Sequence, residues 1–250
     1  MSGSHAEQAR SFDRVAGAYQ NARPSYPAAA VRWVLEAAPG PRVVDLAAGT
    51  GKLTEVLVAA GADVVAVEPL PNMRAELERA LPSVRAIDGT AERMPLPDAS
   101  ADAVFVGQAF HWFDGPAALA EIARVLVPGG VLGLLWNLRD EGVPWVAELT
   151  AALRGAADVL AVSRGIAERP LESERFTAAE RREFRNTVPF DRARLREWAA
   201  STSRIAVLPE GEREKALDEV VRLADEHPAL ANRHTFDMPF VALAVRATRR

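Results

Sequence analysis

Arg42-Val-Val-Asp-Leu-Ala-Ala-Gly-Thr-Gly-Lys52 constrains the fold of this chain more than any other stretch. Pro39, Gly40 and Pro41 end whatever precedes it. Val43 to Leu46 is a short apolar run of strand type, and Gly49-Thr50-Gly51 turns the backbone into a helical pattern starting near Leu53. A strand, a glycine turn and a helix in that order make a ligand cradle. Glycines let a ligand approach the backbone, and the helix N-terminus presents unpaired N–H groups at the carboxyl end of a strand.

Asp63 to Glu68 reads as a second buried strand closed by an acid, about 20 residues past the turn, the spacing of a ribose-binding carboxylate. Glu68 is therefore the candidate to accept both hydroxyls of a ribose, against the plainer reading of a solvated acid at a strand end. Two phosphate-binding patterns fare worse. A P-loop needs glycine where Leu46 stands and a hydroxyl where Leu53 stands. The dinucleotide fingerprint finds its first two glycines at Gly49 and Gly51 but Thr54 at the third.

The flanking chain repeats the rhythm. Pro27 opens a helix to Ala37, Leu53 to Ala60 and Pro71 to Leu81 form two more, with Asn72 as a candidate cap, and Val84 to Ile87 makes a third strand. Asp102 to Val106, then a helix over Ala117 to Leu126, then Val131 to Trp136 continue it. The expected fold is α/β: a Rossmann-like, mostly parallel seven-stranded sheet with helices on both faces. Phe184 to Phe190 and Thr235 to Thr248 are assigned to its antiparallel end, with Asp191 to His234 inserted as a helical cap. Val143 to Val162, Asp191 to Ser201 and Glu210 to Glu226 read as helices. The expected division is 1–27, an amphipathic flap; 28–137, the ligand-binding core; 138–235, a cap region that includes one sheet strand; and 236–250, the last core strand.

Asp45-Leu-Ala-Ala-Gly-Thr-Gly51, Glu68, Asp88-Gly-Thr-Ala-Glu92 and Gln108-Ala-Phe-His-Trp-Phe113 together resemble the class I S-adenosylmethionine-dependent methyltransferases, in the small-molecule branch called type 11. The resemblance is firm over residues 40–137 and includes Pro128-Gly-Gly130. It departs at Ala47, where many members have glycine, a small-for-small change expected to be tolerated. It implies S-adenosylmethionine as cofactor and S-adenosylhomocysteine as product, held by Asp45, Ala47, Gly49, Thr50, Gly51, Glu68, Pro69, Asp88, Gly89, Thr90, Ala91, Gln108 and Phe110. By the same carry-over Asp88 accepts from the adenine amino group, with Thr90 and Ala91 lining the ring. The N-terminal flap lies over the cofactor, so that Tyr19 faces the methyl group and Arg23 the cofactor carboxylate. The ordinary alternative is that Tyr19 packs and Arg23 is solvated.

His111 lies among three aromatics at a strand end, where a polar turn would be usual. It is a candidate base or substrate-positioning group, with structural hydrogen bonding as the commoner role of such a histidine. Trp112, Trp136, Asn137, Arg139, Trp145 and Trp198 are candidates for the acceptor pocket; Arg139 would suit a carboxylate, though a solvated loop arginine is more usual. No metal is expected, since His5, His227 and His234 show no ligand spacing with His111. Because a sulfonium already activates its methyl group, alignment and exclusion of water would suffice for transfer to a small O-, N- or C-nucleophile.

Composition narrows the partners. A formal net charge of −4 gives no overall footprint for nucleic acid. No cysteine is present, which excludes disulfides and thiolate nucleophiles and suits the cytoplasm. No apolar run approaches the ~20 residues of a membrane span. The Asn/Asp-Pro-Pro-Tyr/Phe tetrapeptide of amino-methylating DNA and protein enzymes is missing. A nicotinamide-dependent oxidoreductase and a non-catalytic cofactor-binding protein stand as alternatives. The oligomeric state is left open.

Overall fold

The computed structural model describes residues 23–153 and 173–250. The chain enters as an extended strap, Arg23 to Pro27, whose two prolines remove N–H donors and disfavour both helix and ladder. Helix α1 (Ala28–Leu35) follows, then β1 (Arg42–Leu46), α2 (Lys52–Ala59), β2 (Asp63–Val67), α3 (Pro71–Ala80), β3 (Arg85–Ile87) and β4 (Ala101–Gly107). A 3-10 turn over Phe110–Trp112 precedes α4 (Gly115–Val125) and β5 (Leu126–Arg139). The C-terminal part holds α5 (Pro144–Leu153), β6 (Glu180–Phe190), α6 (Arg192–Ala200), the short α7 (Ser203–Ala206), α8 (Glu210–Glu226) and β7 (Phe236–Thr248).

The seven strands form one sheet in the order β3-β2-β1-β4-β5-β7-β6. The first five run parallel, while β7 is antiparallel to both β5 and β6. The Rossmann-like α/β expectation is met, and the two C-terminal strands take the antiparallel places assigned to them. Reversal of strand order beside β1 opens a crevice at the carboxyl ends of β1 and β4, where such sheets bind ligands.

Alternating side chains feed two apolar clusters. On one face α1 and α2 cover Val43, Phe105, Leu135 and Ala244; on the other, α4 covers Val44, Val106, Leu134 and Trp136. A third cluster forms the cap, where α5, α6, α7 and α8 close over Phe190, Phe236, Met238 and Phe240, the overhanging ends of β6 and β7. At the other end of the sheet the Arg42 guanidinium grips Asp102 through two bonds of 3.0 and 2.7 Å and holds its carboxyl below the usual range.

Several boundaries differ from expectation. Asn72 is not a cap: Leu70 occupies that place and Pro71 the first helical position, which needs no N–H donor. Leu126 begins β5 instead of ending α4, and β6 starts at Glu180 because its charged outer residues conceal an edge strand. The helix begun at Pro144 is described to Leu153; its expected continuation to Val162 lies outside the described residues.

Candidate functional site

The glycine turn is built from left-handed backbone. Gly49 and Gly51 have φ of 58° and 89°, and Ala47 takes 55°, a conformation that costs an L-residue about 1–2 kcal/mol. Ala47, where the resemblance departs, therefore has its Cβ on backbone that favours glycine. The Gly49 N–H donates to Glu68 Oε2 at 2.8 Å and the Leu70 N–H to Oε1 at 2.9 Å, which fixes the carboxylate at the turn. Glu68 is only 4% exposed.

Beneath the turn lies Asp45, 1% exposed. Thr54 Oγ1 donates to its Oδ2 at 2.6 Å, while Oδ1 is buried without a partner among the described residues. Burial, with help from the nearby Glu68 charge and against the Thr54 bond, pushes the Asp45 carboxyl up to about 7. Among the described residues Thr50 Oγ1 is likewise buried and partnerless, and nothing occupies the space a Cβ would take at Gly49. Two orphaned buried oxygens, a fixed carboxylate and an open glycine are what a polar ligand carrying hydroxyl and amino donors would complete. Thr54, where a dinucleotide fingerprint needs glycine, is spent on Asp45.

The neighbouring wall comes from β3 and its loop. Asp88 is 73% exposed at its side chain and sits 3.8 Å from Arg74, whose Nη1 also donates to the Glu68 carbonyl. Pro69 and Thr90 are exposed and Ala91 is buried. Gly89 is required by packing: a Cβ there would stand 2.7 Å from Pro95 Cδ and 2.9 Å from Val67 Cγ1.

At the end of β4, Gln108 is left-handed with φ 55° and its N–H donates to the Leu135 carbonyl at 2.9 Å. Backbone held this way beside a crevice re-aims the chain into the 3-10 turn. Phe110 is buried there, its ring 5.7 Å from Phe113; His111 and Trp112 are half-buried, their rings 4.7 Å apart. The strap crosses the same strand end, since a Cβ on Gly107 would meet the Tyr26 hydroxyl at 2.7 Å. Lys52, the first residue of α2, is held below the usual ammonium range by burial and by the Arg194 charge, opposed by Glu55.

Other candidates fall elsewhere. Tyr19 lies outside the described residues. Arg23 Nη2 donates to the Ser201 carbonyl at 2.6 Å, which commits part of its guanidinium to the cap. Trp145 and Trp198 are enclosed in the cap core, Trp145 against Phe236 and Trp198 against Phe190 and Phe240. Trp136 is buried in the sheet core, its indole N–H without a partner among the described residues. Arg139 Nε donates to Thr150 Oγ1 at 2.7 Å, and its guanidinium lies 5.7 Å from the Trp198 ring, so it joins sheet to cap. Asn137 stands at the seam between cap and core beside Asn186 and the strap. Thr54, Tyr26 and Asn186 went unselected in the sequence. Thr54 had a signal, a hydroxyl in the first turn of the helix that follows the glycine turn, nine residues past a buried strand acid; Asn186 had none.

Residues 44–134 match the methyltransferase domain family. A Mycobacterium tuberculosis protein named as an uncharacterized methyltransferase is 45% identical over 248 residues, spanning 99% of both chains. A Schizosaccharomyces pombe protein of the same description is 34% identical over 227 residues, 85% of this chain and 88% of its own. Among solved structures, an Anaeromyxobacter dehalogenans protein proposed as a type II methyltransferase superposes with a TM-score of 0.68 at 24% identity, over 91% of this chain and 97% of its own.

Proposed function

The chain belongs to the class I S-adenosylmethionine-dependent methyltransferases of the type 11 branch and transfers a methyl group from that cofactor; from this premise we propose that its acceptor is a small organic molecule, aligned for in-line displacement at the carboxyl ends of β1 and β4. The nicotinamide reading finds no support in these relatives.

The observation that carries the site assignment is the glycine turn itself: Glu68 tied to Gly49 at 2.8 Å above the orphaned Asp45 Oδ1 and Thr50 Oγ1. In this reading Glu68 accepts the ribose hydroxyls, Gly49 to Gly51 let the cofactor approach the backbone, and Asp45 and Thr50 take its remaining polar donors. Pro69, Asp88, Gly89, Thr90 and Ala91 line the adenine side, and Gln108 and Phe110 the methyl side. When bound, S-adenosylmethionine supplies a methyl group already activated by a sulfonium. The chain's own work is then orientation and exclusion of water.

Phe110 and Trp112 offer ring faces to a cation, an attraction worth about 0.5–2 kcal/mol where desolvated. His111 beside them is the group able to take a proton from an alcohol, phenol or amine; a carboxylate acceptor would need no base. A small acceptor is supported by the lack of cysteine and of the Pro-Pro-Tyr/Phe tetrapeptide, and by a cap that overhangs the strand ends. Among the described residues no helix is long and apolar enough to cross a membrane.

The test is binding. S-adenosylhomocysteine at a hundred times its Kd adds about 2.7 kcal/mol, a rise of roughly 5–10 °C in Tm for a chain this size; NADH should give none. Glu68→Ala should weaken that binding by about 2 kcal/mol or more, through lost charge-assisted hydrogen bonds. Unchanged affinity would remove Glu68 from the site.

A further inference from the structure

The strap from Arg23 to Pro27 has a backbone problem that one pair of side chains solves. With Pro24 and Pro27 in the run it joins no strand and meets helix α1 only at Pro27, whose carbonyl accepts from Ala30 and Val31, so the carbonyls before it need partners from elsewhere. Asn186 Nδ2, on β6, donates to the Ser25 carbonyl at 2.8 Å and also to Asn137 Oδ1 at 2.8 Å. Asn137 Nδ2, on β5, donates to the same Ser25 carbonyl at 3.2 Å and approaches the Pro24 carbonyl at 3.5 Å. Two amides from different strands thus converge on one carbonyl.

Their position gives the clasp its meaning. On the inner face of β6, Phe184 below Asn186 packs with the core under α1, while Val188 above it packs with the cap. The amides therefore form a polar seam between two apolar clusters. One residue after the clasp, Tyr26 lies against Gly107 at the end of β4; one residue before Pro24, Arg23 binds the Ser201 carbonyl in the cap. Gln108, the left-handed residue after Gly107, reaches toward the Asn137 carbonyl at 3.5 Å.

We propose that Asn186, acting with Asn137, is a positioning residue that latches the strap across the end of β4, so that the cap strand β6 controls retention of the ligand's amino-acid end at the methyl-transfer site. This rests on the cofactor assignment above. Asn186 touches neither cofactor nor acceptor in this account; it acts through Ser25, Tyr26 and Arg23. An apolar residue would pack at the seam equally well but leave the Ser25 carbonyl without its shortest donor.

The test is the dissociation rate of S-adenosylhomocysteine by stopped-flow, beside 5′-methylthioadenosine, which lacks the amino-acid end. Asn186→Asp is nearly isosteric but cannot donate, and its charge would face the Ser25 carbonyl; Asn186→Ala removes the group. Both should release S-adenosylhomocysteine at least tenfold faster while 5′-methylthioadenosine leaves at the wild-type rate and the unliganded Tm moves by no more than a few degrees. Rates within twofold of wild type in either variant overturn the latch. So does equal acceleration of both ligands with a large fall in Tm, which would mark a merely structural residue. Failure of the wild-type protein to bind S-adenosylhomocysteine at all would instead overturn the cofactor assignment.

Discussion

Asp45 concentrates the tension in this molecule. A carboxyl enclosed beneath the glycine turn, with one oxygen satisfied by Thr54 and the other orphaned, is costly to ionise. Its folded value of about 7 lies above that of an unfolded aspartate, so the native state holds the proton more tightly. The stability this group contributes is full below about pH 4 and is lost as pH climbs through about 7. Asp45→Asn, which keeps an acceptor for Thr54, should abolish that dependence and leave the unliganded protein more stable than wild type by roughly 2–4 kcal/mol at pH 8. Urea denaturation from pH 5 to 8 reads it out: parallel stability curves for the two proteins would show that Asp45 is ionised throughout. The motif in the sequence located this residue but not its burden, because an acid four residues before a glycine looks the same whether solvated or entombed.

At the scale of elements, the loop from Met94 to Ser100 shows how irregular chain is ordered from a distance. Punctuated by two prolines, it has few ladder bonds, and α4 supplies the rest. Arg124 donates to the carbonyls of Met94 at 3.1 Å and Leu96 at 2.8 Å and to Asp98 at 2.7 Å, while Glu121 accepts from the Met94 N–H at 2.7 Å and binds Arg124 in turn. The loop also presses Pro95 on Gly89, the floor of the proposed adenine side. Arg124→Ala should cost about 1–3 kcal/mol in urea denaturation, and Arg124→Lys should not restore it, because a point charge cannot reproduce the planar fork. A loss under about 0.5 kcal/mol would mean the prolines alone set the loop. The contrast with β1 and β2 explains what was readable in advance. Those strands, the glycine turn and Glu68 are local patterns, with period, breaker and spacing contained within about 25 residues. The Arg124 hub and the Asn137–Asn186 clasp join residues 28 and 49 apart, and no window on the sequence brings such partners together.

For the whole molecule the question is whether cap and core are one cooperative unit. Their apolar clusters are separate, with polar Asn137, Asn186 and Arg139 between them, which alone would favour independent melting. Against that, β6 and β7 pass through both: Ala244 lies in the core cluster and Phe240, Met238 and Phe236 in the cap, along one unbroken ladder from Phe190↔Phe236 to Glu180↔Arg246. The cap cannot lose its floor without unpairing strands that the core needs, so the ladder should win. Trp198→Ala, an enclosed cap residue 2% exposed, should then cost about 3–5 kcal/mol of global stability and shift a single calorimetric transition to lower temperature. Splitting into two transitions, with the lower one sensitive to the mutation and the upper one not, would show that the seam divides the molecule. That result would also make the strap, fastened to Ser201 on one side and Asn137 on the other, a tether between two bodies instead of a belt around one.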